Sequence, residues 1–501
     1  MAQVIGVEAP RAVDLAAVRQ GALRIAPHLP VLGLVIAYAM RFSLLSVAVH
    51  DGYDTPAYDM GLFDQGIWLL SRFHAPFVTV MGRNLFGDHT CFILLLVVPL
   101  FWVYPHAQAL LVLQSWALAA AAIPIYLLGR RLLGRGALGT TLATALAASY
   151  LLNPALQNGN LEQFHPECLM VLALAIAVYA AVDWHPRLLV VAAVAALLCK
   201  QDTALMVIPL GLWVAWRRDR KLGLIIAGGA AAWMAIAFLV IINLLLGTTS
   251  FNMARVPFGG FTGFVSSIFT KPRQVWDYVT SQGRPFYLWQ MGSSVGWMFL
   301  LAPSVAAIAA LTFLENELAD FGYMHEIQYH YSMPLVPVLV IGTVWAVSRI
   351  QPVRLRAAAV GVATFSAFAG CVVWGLAPFS IHDYPHQSSS APAVRDANQV
   401  IKALPPNAVV SAWYPYISHI DHRTRVYMWP TPFSAQYWGT YHTEGQRLPF
   451  ADQIQYILLP TGLAPDDKPV FDSIESQYRA VDQVGSVVLY EKLSFLQSTN
   501  G

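Results

Sequence analysis

The chain has 501 residues, of which 57% are hydrophobic and only 12% charged, and its net charge is +2. Soluble globular proteins have about 25% charged residues, so this composition predicts a membrane protein that buries most of its surface in lipid. The sequence has no basic domain or stripe, which argues against nucleic acid as a partner. The four cysteines lie in or beside apolar runs without a pairing pattern, so we expect small core residues at Cys91, Cys168, Cys199 and Cys371.

The N-terminal segment, residues 1–27, is polar and mixed in character and contains three arginines. No small-residue cleavage site follows the first apolar run, so the segment does not have the pattern of a cleaved signal peptide. We therefore expect residues 1–27 to be a cytosolic segment that precedes a retained membrane helix.

Residues 28–377 predict a helical polytopic membrane domain of about 11 transmembrane helices. Basic clusters at 129–136, 217–221 and 349–356 mark cytosolic loops and therefore determine the direction in which each span crosses the membrane. The expected spans are 28–49, 107–128, 137–156, 167–182, 187–199, 203–216, 222–246, 287–301, 304–318, 333–348 and 357–377.

This topology leaves two large outer loops, at 50–106 and 247–286. The apolar stretch 91–105 could also be a span. Counting it as one would place the basic cluster 129–136 outside, against the rule that basic loops face the cytosol, and the clusters that follow would break the rule in the same way. We therefore predict a helix that lies in the outer interface, where its aromatic residues are favoured.

The remaining chain predicts a separate C-terminal domain. Residues 378–392 have the composition of a linker. Alternating strand and helix patterns in 393–501 predict a small extracytoplasmic α/β domain without a glycine-rich phosphate loop. Several aromatic residues in this segment could stack on a ligand or simply pack in the core: Trp413, Tyr414, Tyr416, Trp429 and Trp438.

Unusual polar residues gather in loops that this topology places at the outer face. Ionisable residues at membrane depth are costly, so they are candidates for function, although loops are also polar for ordinary reasons. These candidates are Asp59, Asp64, Asp88, His89, Glu162, His165, Glu167, Lys200, Asp202, Glu326, His330 and Tyr331.

The stretch "YDMGLFDQGIW" contains two acids just after the first span. Asp59 could cap a helix, or it could be a general base whose proton affinity is raised by poor solvation at a cavity mouth. Asp64 follows one and a half turns later, so it is expected on the opposite face of the helix.

Other motifs offer groups for a phosphate or a metal. In "KQD", Lys200 could bind a phosphate or merely be neutralised by Asp202. The second outer loop contributes further cations for a phosphate, namely Arg255, Lys271, Arg273 and Arg284. Glu162 and His165 have a metal-like spacing, while Pro166 instead favours a helix start there.

Taken together, "YDMGLFDQGIW", "GDH", "FHPE", "KQD" and "YHYSMPLVP" resemble a family of multi-pass membrane proteins within the GT-C glycosyltransferase superfamily. The resemblance implies an inverting transfer of a sugar from a polyprenyl-phosphate donor, with Asp59 as the base and Asp64 as the second candidate. It also implies that "FHPE" and "KQD" line one cavity and that loop 247–286 covers the donor. This chain has Gln201 where the family pattern has Glu.

The expected enzyme is a hexosyl- or pentosyltransferase of the plasma membrane, acting on an extracytoplasmic glycan, lipid or protein. The sequence leaves open whether a divalent metal is needed. Two alternatives remain: a transporter or flippase, which would predict inverted repeats, and a non-catalytic envelope protein that binds polyprenyl lipid.

Overall fold

A computed structural model describes residues 25–247, 257–439 and 443–495. Most of these residues are helical. The α-helices are Leu29–Asp51, Leu62–Ser71, Leu85–Asp88, Val98–Val103, Ala107–Ala120, Ala122–Leu133, Ala137–Leu151, Pro154–Leu161, Glu167–Asp183, Pro186–Leu197, Ala204–Arg217, Arg220–Ile236, Asn243–Leu246, Phe261–Thr270, Pro272–Val279, Arg284–Ser293, Pro303–Ala306, Ala310–Leu318, Leu335–Val347, Val353–Trp374, Pro392–Ile401 and Lys468–Asp472.

The first long helix, Leu29–Asp51, has one buried face and one exposed apolar face. Its exposed side chains recur every three or four residues, which is the helical repeat: Leu29, Leu32, Ile36, Met40 and Leu44. An apolar stripe that faces outward from the bundle is the surface that a lipid bilayer covers.

Within the described residues, five helical stretches are long and apolar enough to cross a membrane: Ala26–Asp51, Ala107–Leu133, Arg220–Leu246, His330–Val347 and Val353–Trp374. Shorter apolar helices lie among them, including Ala137–Leu151 and Pro186–Leu197. A multi-pass membrane protein is therefore supported, whereas the expected number of about 11 spans stays a prediction.

Two of the expected spans are interrupted. The span expected at 137–156 ends at Leu151, because Asn153 caps a new helix that starts at Pro154. The span expected at 287–301 becomes the helix Arg284–Ser293 and a separate 3₁₀ turn, Met298–Leu301.

Three of the loops predicted to be cytosolic meet at one end of the bundle. The Arg131 guanidinium lies 3.2 Å from the Asp183 carboxylate. Arg218 donates to the backbone carbonyls of Ala181 and Val182. The ends of the helices that stop at Leu133, Asp183 and Arg217 therefore lie on the same side, as the charge pattern requires.

Near the C-terminus lies a five-stranded mixed sheet. Its strands, numbered after the short hairpin β1 (Phe77–Val78) and β2 (Arg83–Asn84), are β3 (Val410–Ala412), β4 (Val426–Met428), β5 (Tyr456–Pro460), β6 (Tyr478–Val484) and β7 (Val487–Lys492). The order is β4-β3-β5-β7-β6, with β3 parallel to both β4 and β5, and antiparallel pairing elsewhere.

The first outer loop packs directly on this sheet. Thr79 donates to the Val426 carbonyl at 2.8 Å and accepts from the Val426 amide at 3.0 Å. Gln65, on the helix Leu62–Ser71, donates to both Thr79 and the Arg423 carbonyl. The loop that contains Asp59 is thus held between the helical bundle and the C-terminal sheet.

Candidate functional site

A polar cavity of about 500 Å³ lies where the first outer loop, the helix ends and the C-terminal segment meet. Nine of the residues predicted from sequence line it: Asp59, Asp88, His89, Glu162, His165, Glu167, Lys200, His330 and Tyr331. These residues come from four separate loops that are up to 272 positions apart (331 − 59). The prediction that they face one side of the bundle therefore agrees with the geometry.

Asp59 has an unusual backbone conformation, with φ 67° and ψ −74°. A positive φ is rare for a residue with a side chain and costs about 1–3 kcal/mol, so neighbouring contacts must hold it in place. Gln163, whose own φ is 99°, provides one by accepting a hydrogen bond from the Met60 amide at 2.9 Å. Strain of this kind is typical of positions that aim a functional side chain.

His165 is the partner of Asp59. Its Nε2 lies 3.5 Å from the Asp59 carboxylate, and its ring stacks on that of His330 at 3.7 Å between centroids. The buried Gln114 fixes the loop that contains His165, since it accepts from the His165 amide and donates to the Gln163 carbonyl. Sequence reasoning missed Gln114 and Gln163, although a polar residue within a span, as at Gln114, is a usable signal.

Charges around this pair shift both pKa values. Burial lowers the pKa of His165, but the charges of Asp59, Glu162 and Glu167 outweigh it and raise the pKa to about 9. Burial raises the pKa of Asp59, but the charges of His165 and His330 bring it below its ordinary value. The expectation of a raised Asp59 proton affinity was wrong, because that expectation did not include His165 as a charged neighbour.

Lys200 lies in a network of acids. Its Nζ is 2.9 Å from Glu167 and 3.4 Å from Asp202, and it lies over the Tyr331 ring. Asp202 does not line the polar cavity but a small adjoining one of about 30 Å³. Lys200 thus holds the ends of two helices together and also lines the cavity wall.

Arg83 is a cation of the cavity that the sequence analysis did not select. It forms an ion pair with Asp88 at 2.6 Å and donates to the Gly439 carbonyl. An arginine in a loop predicted to be outside the cytosol departs from the usual charge bias, and this signal could have identified it. His89, next to Asp88, lies 2.9 Å from Gln201, which also accepts from the Thr90 amide.

The C-terminal segment forms one wall of the cavity. Tyr437, Trp438, Gly439 and Glu444 line it, and Tyr58 donates to the Tyr437 carbonyl. Trp438, one of the predicted sugar-stacking candidates, also donates to the Thr79 carbonyl at 3.1 Å. Trp429, another candidate, is buried in the core beside the sheet.

Other predicted site residues lie elsewhere. Arg284 is fully buried and donates to the carbonyls of Glu317, Ala319 and Tyr278, so its expected role as a phosphate ligand was wrong: its guanidinium closes a helix end instead. Lys271, Arg273 and Glu326 are exposed and do not line the polar cavity. Arg255 lies outside the described residues.

Asp64 also lies away from the polar cavity. It is 1% exposed and accepts from His422 of the C-terminal segment at 3.1 Å. The expectation that Asp64 lies on the opposite face from Asp59 agrees with this position, since Asp59 lines the polar cavity and Asp64 does not.

One group of cavity residues has the chemistry of a metal site. Glu162, His165 and His330 each offer one ligand atom, and these atoms lie within 4.8 Å of one another. The predicted pair Glu162 and His165 thus gains His330, whose amide and Nδ1 both contact the Glu162 carboxylate. The same three residues also satisfy one another by hydrogen bonding and stacking, so the geometry suits either a metal or a proton network.

Comparisons with known proteins give a family and a fold. A family model described as "Predicted membrane protein (DUF2079)" matches residues 50–482. A search of the curated proteins finds no match.

Two crystal structures of ArnT from Cupriavidus metallidurans are similar to this fold. The apo structure has a TM-score of 0.55 and 11% identity, covering 93% of this chain and 98% of that one. The structure bound to undecaprenyl phosphate has a TM-score of 0.52 and 12% identity, covering 92% and 97%. The fold is therefore ArnT-like, which is the GT-C-like fold that the motifs predicted.

Proposed function

Because the chain belongs to the DUF2079 family of predicted membrane proteins and has an ArnT-like fold, we propose that it is a membrane glycosyltransferase. It transfers a sugar from a polyprenyl-phosphate donor to an extracytoplasmic glycan, lipid or protein. The observation that carries this proposal is the polar cavity, in which a strained aspartate and two buried cations converge between the bundle and the C-terminal segment. The likeness of fold to a structure with bound undecaprenyl phosphate supports the choice of donor.

The reaction is a single displacement. The acceptor oxygen attacks the anomeric carbon, the bond from that carbon to the phosphate oxygen breaks, and polyprenyl phosphate leaves with the electron pair. Asp59 accepts the acceptor hydroxyl proton as the new bond forms. Because the carboxylate is ionised at neutral pH, it is ready to accept this proton, and attack from the face opposite the phosphate inverts the anomeric centre.

Arg83 and Lys200 bind the donor phosphate and stabilise its charge as it leaves. Both are buried near the cavity wall, where ion pairs with Asp88 and Glu167 hold them. A guanidinium can bind phosphate oxygens through two parallel hydrogen bonds, which favours Arg83 as the principal ligand. The charged His165 adds a third positive group beside Asp59.

The orientation follows from the charge pattern. The N-terminal segment and the end of the bundle with Arg131 and Arg218 face the cytosol. The cavity and residues 393–501 then face the outside of the plasma membrane, where the C-terminal segment presents the acceptor next to Trp438.

An assay with purified protein in nanodiscs tests the proposal. A panel of polyprenyl-phosphate sugars is offered with candidate acceptors, and released polyprenyl phosphate is quantified. The proposal expects turnover with at least one donor. A flippase would move the labelled donor between leaflets of a vesicle without cleaving it, and a non-catalytic binder would retain it intact, so either of these results would overturn the proposed enzyme.

A further inference from the structure

A second cluster of ligand-type side chains lies outside the polar cavity. Asp64, on the helix that follows Asp59, meets Asp421 and His422 of the C-terminal segment. Each residue offers one ligand atom, and these three atoms lie within 4.8 Å of one another. The two carboxyl groups are almost fully buried, at 1% and 2% exposure, whereas the His422 side chain is 29% exposed.

The carboxyl oxygens of this cluster are incompletely satisfied. His422 Nε2 contacts one oxygen of Asp64 at 3.1 Å. Among the described residues, no N–H or hydroxyl group donates to Asp64 Oδ1 or Asp421 Oδ2, although both atoms are buried. A buried carboxylate oxygen without a donor is unfavourable, and such oxygens require an explanation, for which a bound ion is a common one.

Neighbouring cations do not supply that explanation. The Arg423 guanidinium follows directly in sequence, but it donates to the backbone carbonyls of Ile420, Pro405 and Ala408. The ligand atoms of Asp64 and Asp421 lie within 4.8 Å of each other in this buried position. Two buried carboxyl groups at this distance either share a proton or bind a cation.

We propose that Asp64, Asp421 and His422 bind a divalent transition metal ion of the zinc class. One imidazole nitrogen and two carboxylate oxygens are a ligand set that zinc accepts in tetrahedral geometry, with water completing the shell at the exposed side of His422. Calcium and magnesium prefer oxygen ligands alone, so the histidine disfavours them.

The ion would connect two parts of the fold. Asp64 belongs to the helix Leu62–Ser71, whose first residues, Leu62 and Phe63, line the polar cavity. Asp421 and His422 precede strand β4 of the sheet. A metal here would fasten the helix that follows Asp59 to the C-terminal segment, on the side away from the polar cavity. This inference is independent of sugar transfer.

Cobalt binding to the full-length protein tests the inference. The protein is purified in detergent, stripped of metal with a chelator, and titrated with Co²⁺, whose ligand-field absorption reports the ligand geometry and whose bound amount is measured by mass spectrometry. All titrations use the Glu162→Gln background, which removes a ligand from the cluster in the polar cavity. We expect about one bound equivalent with a tetrahedral spectrum.

Adding His422→Gln or Asp421→Asn to this background should abolish the spectrum and reduce binding at least tenfold. Adding Asp472→Asn, which changes an exposed carboxylate on a surface helix, should leave both unchanged. His422 is partly exposed, so its glutamine variant is expected to fold even if the Asp421 variant does not. Absence of stoichiometric binding in the Glu162→Gln protein, or unchanged binding after His422→Gln, would overturn the inference in favour of a shared proton.

Discussion

At the scale of single residues, the pair formed by Asp59 and His165 controls the charge of the cavity. The pKa of His165 is raised to about 9 and that of Asp59 is lowered, so both groups are charged at neutral pH. The stabilisation from His165 is fully present below its unfolded pKa of about 6.5 and is lost as pH rises through about 9. The stabilisation from Asp59 is present above its unfolded pKa and is lost as pH falls through the lowered folded value.

This charge state predicts a pH dependence for binding of the phosphate group. Once the phosphate monoester is doubly ionised, above its second pKa of about 6, the affinity of the wild type for undecaprenyl phosphate should decline as the pH passes about 9, because the His165 imidazolium then loses its charge. His165→Gln should bind more weakly at pH 7 and lack this decline. Calorimetric titration at a series of pH values measures both, and an unchanged decline in His165→Gln would assign it to another group.

Arg83 gives a second prediction at this scale. A charged hydrogen bond to phosphate is worth about 1.5–3 kcal/mol, so Arg83→Gln should weaken undecaprenyl phosphate binding about 10- to 100-fold. The matched control is Arg479→Gln, which changes an exposed arginine on strand β6. Equal affinities of the Arg83 variant and the wild type would remove Arg83 from the proposed phosphate site.

Sequence patterns identified the residue types of the site better than their roles. Nine residues selected from the sequence line the polar cavity. They could be selected because polar and charged groups at the ends of apolar helices are rare. Arg284 was assigned to phosphate because a loop arginine and an arginine that caps buried carbonyls look alike in sequence. The direction of the pKa shift of Asp59 could not be predicted from the sequence either, because it depends on His165, which is 106 residues away (165 − 59).

At the scale of elements, the hairpin of β1 and β2 is the contact between the first outer loop and the C-terminal segment. Gly82, in its turn, has φ +66°, and a Cβ placed there would lie 2.3 Å from the Trp438 ring. Gly82→Ala should therefore displace Trp438 from the cavity wall and destabilise the protein by about 1–3 kcal/mol through overpacking, in addition to the backbone strain.

Gly445→Ala is the matched control for this prediction, since Gly445 also has a positive φ of +74° but open space around it. It retains the backbone cost of about 1–2 kcal/mol without the clash. Thermal unfolding followed by tryptophan fluorescence compares the two variants. Equal destabilisation of both would show that packing of Trp438 against Gly82 does not hold the hairpin.

The elements that sequence predicted well are those with a strong apolar signal, such as Leu29–Asp51 and Val353–Trp374. Breaks within the expected spans were harder to predict. The break at Asn153, for example, depends on a single capping residue and a proline within an apolar run. Strand β6 is hard to predict from sequence, because it is an edge strand with mostly exposed side chains and so has no apolar alternation to detect.

At the scale of the whole molecule, positive charge and hydropathy predicted which helix ends lie together. The contacts from Arg131 to Asp183 and from Arg218 to neighbouring carbonyls lie at one end of the bundle, whereas Glu167, at the opposite end of the helix that stops at Asp183, lines the polar cavity. Sequence could not predict that the C-terminal segment completes the cavity wall, because this depends on long-range docking through Thr79 and Trp438.

The central claim, that the polar cavity transfers sugar with Asp59 as the base, is tested most directly by Asp59→Asn. Sugar transfer from the accepted polyprenyl-phosphate donor is measured alongside undecaprenyl phosphate binding, with Asp472→Asn as the control. Loss of a positioned general base costs about 10²–10⁴ in rate. We predict that loss in Asp59→Asn, with the control unaffected, whereas transfer at the wild-type rate in Asp59→Asn would contradict the proposed mechanism.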